Sequence, residues 1–206
     1  MMSHDREAMV RRGLRLNYLT LAYNTLEAIL SLAAAVRSGS IALMGFGFDS
    51  VIEVAASGAA QWRLRADADR ARRARVERRT AQIIAGSFLL LGIYVVADSI
   101  TSLWRREQPQ RSILGLVVLG VSVVVMPVLA RAKRRVALRV DSVALSGEAA
   151  QTSLCAYLSA IALAGVGLNA WLGWWWADPV AALAMVPIMA REAAEGLRGR
   201  RCSDDC

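Results

Sequence analysis

Runs of about 20 apolar residues, the length a helix needs to cross the hydrocarbon of a bilayer, recur along the chain with short polar or basic links between them. Six such runs predict six membrane-spanning helices. They cover about Tyr18 to Val36, Ile41 to Trp62, Ala81 to Trp104, Ile113 to Ala132, Val143 to Leu168 and Trp171 to Ala190. The fold class this predicts is an all-α membrane protein, a bundle of six transmembrane helices. Residues 1–16 precede the bundle, residues 17–196 form it, and residues 197–206 are a short tail. The link 63–80 is rich in Ala and Arg, both good helix formers, and predicts an extension of the second helix beyond the membrane. Pro127 predicts a kink in the fourth span, because it removes a helix donor and crowds the preceding turn.

Composition strengthens this picture, and charge orients it. The 206 residues are 56% hydrophobic with a mean hydropathy of +0.39, above the usual range for a soluble domain. A net charge of +8 would by itself suggest nucleic acid, but the basic residues lie between the apolar runs. Of the 25 Lys and Arg residues, 21 fall in the N-terminal segment, the links after spans two and four, and the C-terminal segment. That asymmetry places both termini in the cytoplasm of a multi-pass protein of the cell membrane, and it requires an even number of spans. The basic link faces lipid headgroups, and nucleic acid is not expected as a partner. The N-terminal residues lack a small-residue cleavage site, so no signal peptide is read there. Trp171 to Trp176 (WLGWWW) read as an interfacial anchor at the outer end of span six. Asp178 and Pro179 read as the cap and first turn of that helix. Gly165, Gly167 and Gly173 are small enough for close helix packing or bending. Three scattered cysteines are no disulfide framework, and Cys202 and Cys206 read as incidental residues of a flexible tail.

The informative residues are the polar ones inside the spans. Asp49 and Glu53 lie four apart in span two, on one helix face, near mid-membrane. An ionised carboxylate at that depth costs at least about 2.5 kcal/mol, so it needs a partner, a proton or a cation. No span offers these two a Lys or Arg. Span five carries Glu148, Gln151, Thr152, Cys155 and Ser159 along one stripe. At 1.5 Å per residue, Gln151 to Cys155 reach the depth of Asp49 and Glu53 on an antiparallel neighbour. Asp49 would then share the outer level with Cys155, and Glu53 the inner level with Gln151. Two carboxylates, a thiol and an amide oxygen would converge on one cation. Span one adds Asn24 and Glu27, read either as a hydrogen-bonded pair or, for Glu27, as a proton carrier. Nothing resembling a Ser/His pair, an HExxH motif or a phosphate loop accompanies the acids, so no enzyme is expected.

These residues resemble the transmembrane domain of the cation diffusion facilitator (cation efflux) family. The similarity runs through Ser38-Gly39-Ser40-Ile41-Ala42-Leu43, Asp49-Ser50 and Glu53, then through the stripe of span five, to Asp178-Pro179-Val180-Ala181-Ala182-Leu183. The resemblance implies six helices with both termini cytoplasmic. It also implies a metal site of two residues four apart on the second helix and two on the fifth. Asp49 and Glu53 fall on the second-helix ligand positions. Gln151 and Cys155 fall on the fifth-helix positions, where the family mostly has Asp or His. Glu148 matches an acid three residues before the first of these, and Asn24 a first-helix asparagine. With some 10 residues after the bundle, the chain resembles short members without the cytoplasmic C-terminal metal-binding domain, and a homodimer is one assembly the resemblance allows.

The function expected is export of a divalent metal cation from the cytoplasm, zinc first, by proton antiport, with metal and protons using the same carboxylates. Carboxylate with thiolate suits zinc or cadmium, and oxygen ligands alone suit manganese or ferrous iron. The metal is the substrate, and no permanently bound cofactor is expected. The alternative is a non-transporting membrane protein of the same fold that uses its polar core for assembly or sensing.

Overall fold

The computed structural model describes residues 2–65, 70–140 and 143–198. Six helices account for almost all of them: α1 Met2–Ser38, α2 Ile41–Arg65, α3 Arg70–Arg105, α4 Ile113–Val140, α5 Val143–Leu172 and α6 Ala177–Arg198. The most extensive pairings are α4 with α5, α3 with α6, and α1 with α2. The second helix also touches α3, α5 and α6, which makes it the hub of the bundle. Phe46, Leu43, Leu119, Met126, Met185 and Met189 fill the core. Leu26, Ile29, Val36, Leu90, Val124 and Val128 point outward. An apolar surface of that kind suits lipid, as expected of a multi-pass membrane bundle.

Among the described residues, four helical stretches are apolar and long enough to cross a membrane on composition alone: Arg11–Ser38, Gln82–Arg105, Ile113–Arg139 and Ala149–Leu172. In α6 the charged residues Asp178, Arg191 and Glu192 interrupt the apolar run.

The ends of the helices depart from the sequence expectation in three places. First, the tryptophan run does not open the sixth helix. Gly173 adopts a left-handed conformation (φ +68°), which a glycine reaches without strain, and its N–H closes on the Asn169 carbonyl at 3.1 Å. α5 therefore runs to Leu172, and α6 starts at Ala177. Trp171 stays on α5 and is 82% exposed, while Trp174 and Trp176 stack with ring centroids 5.2 Å apart. Second, the basic segment is divided. α2 stops at Arg65 and α3 begins at Arg70, so most of that segment extends the third helix rather than the second. Residues 66–69 lie outside the described residues, as do Cys202, Cys206 and the rest of the tail.

Third, Asp178 caps a different helix from the one that carries it. It is fully buried. Its carboxylate accepts the Ile41 N–H at 2.8 Å and the Ser40 hydroxyl at 2.5 Å, and Ser40 Oγ in turn accepts the Leu43 N–H at 3.1 Å. Orphan donors at the start of α2 are thus met by a residue of α6. The link between α3 and α4 closes the same end: the Gln110 N–H donates to the Ser38 carbonyl at 2.7 Å, and Asn169 Nδ2 to the Pro109 carbonyl at 2.9 Å. α4 is assigned as one helix through Pro127. Gly165 supports the close approach of α5 to α6, since a Cβ there would strike the Ala181 methyl and stand 3.0 Å from the Ala177 carbonyl oxygen.

Candidate metal site in the bundle core

Asp49 and Glu53 sit one turn apart on α2, 5% and 3% exposed. They face a small cavity of about 10 Å³, room for one water-sized body. Gln151 of α5 and Glu192 of α6 share its wall, with Phe88 and Met189 as apolar neighbours. Asp49 Oδ2 has no hydrogen-bond partner among the described residues. A buried carboxylate oxygen with no donor is a costly arrangement unless something else satisfies it. In the sequence Glu192 is marked only by its spacing: it lies three residues beyond Met189, on the core side of α6.

A second polar cluster lies beside the first. Glu27 of α1 is 2% exposed. Its carboxylate accepts the Ser50 hydroxyl of α2 at 2.9 Å and the Ser122 hydroxyl of α4. The Cys155 thiol of α5 points at Glu27 Oε2 from 3.9 Å. Four helices thus meet at one carboxylate. Cys155 is buried and free, one turn of α5 beyond the Gln151 of the first cluster and in contact with the Glu27 of the second, so it stands between the two clusters. Ser50 follows Asp49 in the motif that carries the family resemblance, whereas Ser122, an isolated serine in an apolar run, has no distinguishing pattern. Asn24 does not pair with Glu27. It is 1% exposed, and neither polar atom of its amide has a hydrogen-bond partner among the described residues. Glu148 lies in α5, but its side chain falls outside the described residues.

The third feature corrects the expectation that no basic residue reaches the acids. Lys133 lies in the run Arg131-Ala132-Lys133-Arg134-Arg135, which reads as part of the cytoplasmic basic link. Arg131, Arg134 and Arg135 are exposed, but Lys133 is fully buried. Its Nζ donates to Thr152 Oγ1 at 3.2 Å, and that hydroxyl donates to Glu53 Oε1 at 3.3 Å. The side chain leaves α4 toward the start of that helix, as side chains on helices do, and here that direction is toward mid-membrane.

Among the described residues, no three His, Cys, Asp or Glu side chains are arranged to hold a metal ion together. What the fold brings to one place is a pair of α2 carboxylates, an α5 amide and an α6 carboxylate around a small cavity, with a thiol behind them. Comparison with known families decides what kind of protein carries it. The model of the cation efflux transmembrane domain matches residues 18–198. The chain belongs to the cation efflux family. The match runs from within α1 to the end of α6, so every helix of the bundle contributes to the cation efflux domain. Comparison with individually curated proteins found no match. Cation efflux domains are transporters rather than enzymes, and this one is accordingly a multi-pass membrane protein of the cation-transporting kind.

Proposed function

We propose that this cation efflux protein exports a divalent metal ion, zinc foremost, from the cytoplasm in exchange for protons, through the site lined by Asp49, Glu53, Gln151 and Cys155. The observation that supports this most directly is the burial of Asp49 and Glu53 against one small cavity at the α2–α5 contact. Two carboxylates at that depth attract either a divalent ion or protons, which is the exchange an antiporter performs. In this conformation the ligands do not form a closed cage, as suits a site that must release its ion. Movement of α2 against α5 would draw the carboxylates and the thiol onto the metal, and the reverse movement would open them to the other side. Cys155 favours zinc or cadmium over manganese or ferrous iron, because a sulfur ligand selects softer ions. In this reading Glu27, Asn24 and Glu148 support the site, and Glu27, with its hydroxyl and thiol neighbours, is the candidate proton carrier.

Vesicles reconstituted with the purified protein and loaded with a pH-sensitive dye provide the test. Addition of zinc should move protons in the opposite direction. Asp49→Ala and Glu53→Ala should abolish that signal while still eluting as folded protein. If both variants instead fail to reach the membrane folded, the acids serve assembly, and the non-transporting reading holds.

A further inference from the structure

The chain has 25 basic residues, and Lys133 is its single lysine. It is also completely buried, although it sits where α4 approaches the cytoplasmic surface. A lysine at the end of a span normally extends its flexible stem to the headgroups and keeps its ammonium in water. Here the stem turns the other way. The bonds through Thr152 put the ammonium no more than about 6.5 Å from Glu53 Oε1. The exposed neighbours Arg131, Arg134 and Arg135 satisfy the orientation rule without it. A compact ammonium on four rotatable methylenes can move in and out of such a place, whereas a planar guanidinium fits only one geometry.

We propose that Lys133 is a tethered stand-in for the metal: its ammonium balances Glu53, through Thr152, when the site holds no ion, and withdraws when a divalent cation arrives. This rests on the transport reading above and deepens it. A proton exchanger must return its metal-free site across the membrane; the returning proton neutralises one acid, with Glu27 the candidate carrier, and a Glu53 left ionised resists that step unless a cation balances it. An internal cation lets the empty bundle change conformation. It also keeps metal binding from becoming so tight that release fails, since an ammonium a few ångströms away opposes the ion. Lys133 is a positioning residue in this scheme and not a metal ligand.

The distinguishing measurement is the ratio of two fluxes in proteoliposomes holding the full chain. Net zinc uptake requires the empty site to return. Exchange of labelled for unlabelled zinc does not, because the site is occupied in both directions. A unit charge at about 6.5 Å, with an effective dielectric constant near 20, is enough to slow the return step by more than about tenfold. Lys133→Met should therefore raise the ratio of exchange to net uptake at least about tenfold, with Lys133→Arg failing to restore it fully. If Lys133→Met does not fold, Thr152→Val removes the bridging hydroxyl at constant shape and should shift the ratio in the same direction. An unchanged ratio in a folded variant overturns the inference and leaves the transport reading intact. Wild-type vesicles that show neither flux would sink the transport reading, and this inference with it.

Discussion

Asp178 of α6 holds the first turn of α2, accepting the Ile41 N–H at 2.8 Å inside a fully buried contact. The helix that carries Asp49 and Glu53 is therefore set in depth and rotation by a residue 137 positions away. Removing the carboxylate leaves the Ile41 N–H and the Ser40 hydroxyl buried without it. Asp178→Ala should cost on the order of 2 kcal/mol and lower the melting temperature in detergent by several degrees. Asp178→Asn, which keeps one acceptor oxygen, should cost less. Equal melting of Asp178→Ala and the wild type would contradict the capping account.

Close packing of α5 on α6 makes a second prediction, with its own control. Gly165→Val pushes a branched side chain into Ala181 and the Ala177 carbonyl and should destabilise by about 1–3 kcal/mol. Gly167→Ala should be tolerated, because the nearest atom to its new methyl is Leu116 Cδ2 at 3.9 Å. Thermal melts of the two variants compare the sites directly. Gly167→Ala proving the more damaging would mean the helices approach each other elsewhere.

Glu27 should respond differently to two substitutions. Glu27→Gln keeps an acceptor oxygen for the Ser50 or Ser122 hydroxyl and should melt within about 1.5 kcal/mol of the wild type. Glu27→Ala takes the acceptor from the Ser122 hydroxyl, while the Ser50 hydroxyl keeps the Phe46 carbonyl at 3.2 Å, and should melt lower. If Glu27 carries the proton, Glu27→Gln should also lose the acceleration of metal uptake by a pH gradient. A Glu27→Gln protein that still answers the gradient as the wild type does would assign proton coupling to other residues.

Cys155 sets the expected metal preference. Cys155→Ser exchanges a soft ligand for a hard one of similar size. Zinc and cadmium uptake should fall relative to manganese and ferrous iron, read as the ratio of initial rates in one preparation. A ratio that does not move would take the thiol out of the coordination sphere and leave it as packing between the two acid clusters.

How much of this was legible in the sequence differs from feature to feature. Six apolar runs gave the six helices, and the four-residue spacing of Asp49 and Glu53 stood out because a charged pair in an apolar run is expensive. Asp178 was read as a cap, correctly in chemistry and wrongly in address. A sequence shows that an acid suits a helix N-terminus, but not whose. Lys133 was hidden by its company, since one lysine among arginines looks like any other topogenic charge until burial separates it. The tryptophan run was assigned to α6 because hydrophobicity does not reveal that Gly173 turns the chain. Glu27 was visible as a buried acid, but its hydroxyl donors come from α2 and α4, and only the packing of four helices brings them together.

The central claim is that Asp49 and Glu53 bind a transported divalent metal. The most direct test is tracer zinc uptake into proteoliposomes of the full chain across an imposed pH gradient, with the wild type beside Asp49→Ala and Glu53→Ala at matched folded protein. The account predicts saturable uptake by the wild type and loss of uptake in both variants, with Asp49→Ala melting close to the wild type and Glu53→Ala melting lower, because it leaves the Lys133 ammonium buried without its acid. Uptake undiminished in either variant would contradict it.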